Sequence, residues 1–186
     1  MQKLSVLTLV GALALALVAT AAAHRIVTIN GTRGADTLTG TPANDRIFAR
    51  GGNDSVSAGD GRDRVHGNGG DDTLDGGPGN DRIWDGHGKD AITGGDGDDV
   101  LRGRQGDDVV DGGPGNDVIW VGRGADVQRG GDGDDRLHAL ARDRQVDQID
   151  CGPGRDVVWL NAAEQDTHVN CEIVKTVTVS GDGGDS

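Results

Sequence analysis

One apolar side chain recurs every nine residues along most of the chain: Leu38, Ile47, Val56, Val65, Leu74, Ile83, Ile92, Leu101, Val110, Ile119 and Leu137, with Gln128 as the only interruption. Gly and Asp dominate the residues between. Side chains alternate faces along extended backbone, so an isolated aliphatic residue with polar or small neighbours describes a strand of about three residues, its centre pointing inward. The intervening glycines permit sharp reversals at positive φ. The pattern predicts an all-β chain in which short strands and tight turns alternate.

Aspartate keeps the same period at a fixed phase. It stands at 36, 45, 54, 63, 72, 81, 90, 99, 108, 117, 126 and 135, two residues before each position of the apolar series. Two residues before each Asp stands Gly, from Gly34 to Gly133, with Ala43 as the exception. The fullest unit reads Gly76-Gly77-Pro78-Gly79-Asn80-Asp81-Arg82-Ile83-Trp84.

These units resemble the RTX, or hemolysin-type, calcium-binding nonapeptide repeat GGxGxDxUx, a repeat recognised by its period. The resemblance covers about residues 30–138. It implies a parallel β-roll, a β-solenoid with two nonapeptides per coil, and Ca2+ held between successive loops on each edge. Elementary chemistry agrees. One aliphatic residue in nine makes too thin a core to offset the conformational entropy of ordering the chain. Calcium takes carboxylate and backbone carbonyl oxygens, which Asp and Gly-rich turns supply. Carboxylates stacked on one edge repel until a cation arrives, so binding free energy becomes folding free energy.

Alternate repeats share an edge, 18 residues apart, and the two edges differ. Asp45, Asp63, Asp81, Asp99, Asp117 and Asp135 lie on one. Its last four loops, opening at Gly76, Gly94, Gly112 and Gly130, match GGxGxD in full. The firmest calcium sites are expected between Asp81 and Asp99, Asp99 and Asp117, and Asp117 and Asp135. The other edge carries Asp36, Asp54, Asp72, Asp90, Asp108 and Asp126, and none of its loops matches in full. Arg50 and Arg104 replace the second Gly, and Asp85 and Val121 the first. The two arginines are placed to pair with carboxylates in calcium's stead.

The outward positions differ too. After the apolar residue on the stronger edge come Phe48, His66, Trp84, Arg102, Trp120 and His138, a stripe of rings with flanking arginines. Aromatic and Arg side chains are enriched at recognition surfaces, which makes Phe48, Trp84, Arg102 and Trp120 a partner surface for an extracellular glycan or a surface protein. The competing reading is a ladder of stacked side chains covering the solenoid.

Composition changes the picture in one respect. The chain has 34 Gly and 29 Asp, two Glu, three Trp, one Phe and a net charge of −13. Such a balance reads as disorder when the repeat is ignored. It also disfavours nucleic acid, whose phosphates require Lys and Arg clusters.

Lys3, the apolar run Leu4–Val18 and Ala21-Ala22-Ala23 form a secretory signal peptide, with cleavage after Ala23 and no membrane span remaining. Outside the cell Cys151 and Cys171 most simply pair with each other. Two free thiols are the alternative, and a zinc site lacks a second ligand pair.

After Asp135 the register slips, Arg144 standing where Asp is due, and Asp147 and Asp156 restart the spacing of nine. This segment resembles the Cys-bearing last coil of secreted bacterial members of the family, and a solenoid needs such a cap. The chain thus divides into a signal segment 1–23, a lead-in strand 24–29, a calcium-binding β-roll 30–146, a disulfide-pinned capping coil 147–179 and a disordered tail 180–186. No G-x-S-x-G or HExxH motif is present. The paired carboxylates that could serve a glycosidase fall on calcium-loop positions. The sequence therefore reads as a secreted, non-enzymatic calcium-binding protein.

Overall fold

The computed structural model describes residues 26–179. The expected signal segment 1–23, the first two residues of the expected lead-in strand 24–29 and the expected tail 180–186 lie outside the described residues. Seventeen strands follow in order: β1 Val27–Asn30, β2 Thr37–Thr39, β3 Asp45–Gly51, β4 Ser55–Ser57, β5 Arg64–Gly69, β6 Thr73–Asp75, β7 Arg82–His87, β8 Ala91–Thr93, β9 Val100–Arg102, β10 Val109–Pro114, β11 Val118–Val121, β12 Val127–Asp132, β13 Arg136–Ala139, β14 Gln148–Asp150, β15 Val157–Asn161, β16 Thr167–Val169 and β17 Ile173–Val177.

Odd-numbered strands form one parallel sheet and even-numbered strands the other. The chain winds as a parallel β-solenoid of about eight turns, each with one strand per sheet. Every strand pairs with the strand of the next turn. The offset is 18 residues from Thr37↔Ser55 to Val118↔Arg136. Nine residues thus carry the chain across the coil, and eighteen bring it back one layer higher.

The core follows from that register. Ile47, Val65, Ile83, Leu101, Ile119, Leu137 and Val158 stack in one column, and Leu38, Val56, Leu74, Ile92, Val110 and Ile149 in the facing one, all buried. Three-residue strands such as β4 and β6 bury only their central residue. Gln128 sits in the second column between Val110 and Ile149, fully buried, and neither Oε1 nor Nε2 has a hydrogen-bond partner.

The register slip at the C-terminal end is a three-residue insertion. Val127 pairs with Gln148 and Arg136 with Val157, an offset of 21 in both sheets. The loop between β13 and β14 takes up the extra residues. It is tied down by Asn161 Nδ2 donating to the Ala141 carbonyl (2.7 Å) and by Asp143 N–H donating to Glu164 Oε1 (2.9 Å). The solenoid continues through β14–β17. Cys151 and Cys171 are disulfide-bonded, with Cα atoms 5.1 Å apart, and join the last two turns. Closing a loop of this size stabilises by roughly 3 kcal/mol in the chain-entropy account.

The unpartnered amide of Gln128 generates a prediction. Burying an amide without hydrogen bonds costs about 1–3 kcal/mol, and an aliphatic side chain of similar size removes that cost. Gln128→Leu is expected to raise the thermal midpoint of the folded protein. A lowered midpoint in a scanning calorimeter would show that the amide is serving a hidden role.

Candidate metal centre

The register that stacks the aliphatic residues also stacks the aspartates. On one edge the column runs Asp45, Asp63, Asp81, Asp99, Asp117, Asp135 and Asp156, and on the other Asp54, Asp72, Asp90, Asp108, Asp126 and Asp147, every member at most 3% exposed. Asp36 begins the second column half-buried. From Asp54 and Asp63 upward, Oδ1 of each Asp accepts the backbone N–H of the Asp one turn below, at 2.7–3.0 Å. Asp166 extends the second column at 3.1 Å, and Glu172 ends the first at 2.8 Å. The offsets there are 19 and 16 residues, so the spacing of eighteen does not reach these two.

One oxygen of each carboxylate is thereby used and the other is left over. Oδ2 is buried without a hydrogen-bond partner in Asp54, Asp63, Asp72, Asp81, Asp90, Asp99, Asp108, Asp117, Asp126, Asp135 and Asp156. Asp36 and Asp45, in the first turn, differ. Their Oδ2 atoms accept from the backbone N–H of Thr32 and Thr41, each at 2.6 Å, and from the Thr hydroxyls at 2.9 and 3.0 Å. Thr at the second loop position satisfies an oxygen that elsewhere stays bare.

The first loop glycine faces this bare oxygen. The space a Cβ on Gly76 would fill lies 2.5 Å from both Asp81 Oδ2 and the Gly94 carbonyl oxygen. Gly94, Gly112 and Gly130 repeat the cradle, with Asp99, Asp117 and Asp135 supplying the carboxylate and the next turn the carbonyl. All four glycines are buried. A side chain at this position closes the cradle, as Ala49 and Val121 do on the other edge. The fourth loop position also requires glycine. Gly79, at φ +146°, has the Gly61 carbonyl where its Cβ would be.

Electrostatics make the columns costly without a counter-charge. Neighbouring carboxylates one strand apart repel by about 3 kcal/mol at an effective dielectric of 20. Burial, reinforced by that repulsion, pushes Asp99 up to about 8, Asp63 and Asp117 to about 7, and Asp72, Asp90 and Asp135 to about 6. The N–H bonds to Oδ1 oppose the shift without cancelling it. A buried, acceptor-only oxygen set of this kind suits a hard cation such as Ca2+.

Two further findings concern residues outside the columns. Among the described residues Arg50 and Arg104 find no carboxylate partner for an ion pair. Arg50, at φ +84°, donates from Nη2 to Asn30 Oδ1 at 3.3 Å, and Arg104 contributes its backbone N–H to Asp85 Oδ1 at 3.0 Å. Among the described residues the carboxylate ion pair present is Lys89–Asp107, at the surface. A second side-chain ladder runs through the fifth loop position. Asn44, Asn53, Asp71, Asp98, Asp107, Asn116 and Asp134 each accept a backbone N–H from the turn above. The recurrence of Asn or Asp immediately before the repeat's Asp was its unread signal.

The aromatic stripe forms two stacks of three rings. Phe48, His66 and Trp84 lie parallel with centroids 5.1 and 4.6 Å apart, and Trp120, His138 and Trp159 follow at 5.1 and 4.4 Å. Arg102 covers Trp120 at 4.9 Å and Lys175 covers Trp159 at 4.7 Å. Trp159 joins the stripe because the insertion preserves the stacking. Burial holds the His138 imidazole down to about 4, so it is neutral between its neighbours.

The family model of the RTX calcium-binding nonapeptide repeat matches the chain in four copies, over residues 30–65, 66–101, 93–128 and 122–141. No curated protein matches it.

The raised carboxylate pKa values fix the sign of a pH effect. An acid whose folded pKa lies above its unfolded value of 3.8 binds more protons when folded. The metal-free fold therefore loses stability as pH rises from 3.8 through about 6 to 8, and regains it on acidification. In chelator, circular dichroism should show more β-structure at about pH 5 than at about pH 8. The reverse order would contradict the geometry of the columns.

Proposed function

The chain belongs to the RTX calcium-binding nonapeptide-repeat family, and from that premise we propose that it is a secreted, non-enzymatic protein whose folding is coupled to uptake of several Ca2+ ions. The observation that carries this reading is the run of buried, unpartnered Oδ2 atoms along both edges. Each is a lone pair removed from water and given no donor, an arrangement that costs stability unless a cation takes it up.

Asp81, Asp99, Asp117 and Asp135, with the carbonyls of Gly94, Gly112 and Gly130, are the groups proposed to hold the firmest ions. Asp63, Asp54, Asp72, Asp90, Asp108 and Asp126 offer the same carboxylate with fewer open cradles beside it. Asp36 and Asp45 are the least available, their second oxygens being occupied by Thr32 and Thr41. Bound calcium supplies positive charge between like-charged turns. The residues themselves supply oxygen and hold it in place, since Oδ1 is already anchored to the turn below.

The disulfide accords with an extracellular site, and no helix among the described residues is long and apolar enough to cross a membrane. The stacked stripe is read here as packing. Its rings present faces to one another, and Trp120 and Trp159 also to Arg102 and Lys175, and those faces are what a sugar ring would need.

A calcium titration of the full chain, starting in chelator at neutral pH and followed by circular dichroism, is expected to show β-structure growing with calcium. Complete β-structure in chelator would sink the coupling. Asp99→Ala should shift the calcium midpoint upward more than Asp54→Ala, whose loop opens with Ala49 and Arg50. Equal shifts would remove the distinction between the edges.

A further inference from the structure

We propose that Asp85, Asp90 and Asp108 form a three-carboxylate cation site on the edge whose loops depart furthest from the repeat pattern. This rests on the reading of the chain as a calcium binder, and it adds a ligand that the repeat does not contain.

Asp85 occupies the first loop position, where the repeat has Gly. It is the fourth residue of β7, and the burial pattern of that strand directs Ile83 and Asp85 inward while Arg82 and Trp84 stay out. A carboxylate therefore enters the solenoid at 1% exposure. Its Oδ1 accepts the backbone N–H groups of Gly86 and Arg104. Its Oδ2 has no partner.

Asp90 is the column aspartate of the same loop, and Asp108 that of the next turn. Their Oδ1 atoms accept the N–H groups of Asp72 and Asp90, at 2.7 and 3.0 Å, and their Oδ2 atoms are likewise unpartnered. One carboxylate oxygen from each of the three residues lies within 4.8 Å of the other two, and all three residues are buried. Gly103, one turn above Asp85, keeps the space open. A Cβ there would stand 3.1 Å from Asp108 Oδ2 and 3.3 Å from Asp85 Oδ2, so both oxygens face the same gap.

The neighbouring cations do not fill that role. Arg104 turns its N–H to the cluster, and Lys89 is exposed and bound to Asp107. An all-oxygen set carrying three formal negative charges selects a hard cation of the calcium class over zinc or copper, which favour nitrogen and sulfur. The loss of Gly at position 85 is then an exchange of an open cradle for a carboxylate.

The test compares the number of bound ions, by native mass spectrometry in graded free calcium, for the full chain and for Asp85→Asn and Asp85→Ala. Both variants should carry one ion fewer than the parent. Asp85→Ala is the sharper one, since it removes the carboxylate without opening the glycine cradle in its place, as at Ala49. An unchanged or higher count in Asp85→Ala overturns the site while leaving the family reading intact. A parent chain that binds no calcium overturns both. If the variants fail to fold in calcium, crystals of the parent grown with calcium decide. Density within about 2.3–2.6 Å of all three carboxylates supports the site, and its absence there overturns it.

Discussion

Each turn of this solenoid is laid on the next by a carboxylate that can satisfy only half of itself. Above the first turn, Oδ1 of each column aspartate receives the N–H of the aspartate below, which fixes the loop and the spacing between turns. The same bond holds the second oxygen in the interior with no donor. The contact that builds the edge and the charge that strains it are one residue. Relieving the strain requires positive charge from outside, because among the described residues no basic side chain forms an ion pair with a column carboxylate. The first turn avoids the problem locally, with Thr32 and Thr41 donating to Oδ2.

This division of labour explains why so thin a core suffices. Two facing columns of single aliphatic residues exclude water from the coil centre but leave little apolar area per turn. Order along the edges comes from hydrogen bonds that run between turns, including the ladder through Asn44, Asn53, Asp71, Asn116 and Asp134. That ladder donates in the opposite sense to the aspartate columns, so each loop is tied both upward and downward. The aromatic stack adds a third tie on the outer face of one sheet.

The aliphatic columns were legible in the strict period of nine, the two-sheet coil through the resemblance to the nonapeptide-repeat family, and the cysteine pair because the chain has two cysteines. The register break was legible as a break but not as an insertion. Only the pairing of Arg136 with Val157 shows that three residues were added and the stacking kept. Arg50 and Arg104 misled, since side-chain charge pointed toward the carboxylates while the backbone sent Arg50 toward Asn30. Asp85 was visible as a departure from the pattern. Its meaning required knowing that β7 continues through it and turns it inward.

The register of eighteen residues also limits how this chain can change length. Duplicating or deleting eighteen residues adds or removes one whole turn and leaves every other contact as it was. A change of nine would transfer each downstream loop to the opposite edge, putting Trp120 and His138 on the sheet that now carries Asp75 and Thr93 and breaking the ring stack. Small insertions survive only inside a loop, as the one after Ala139 does, where both sheets shift together. Growth of such a molecule is therefore quantised in steps of a full turn.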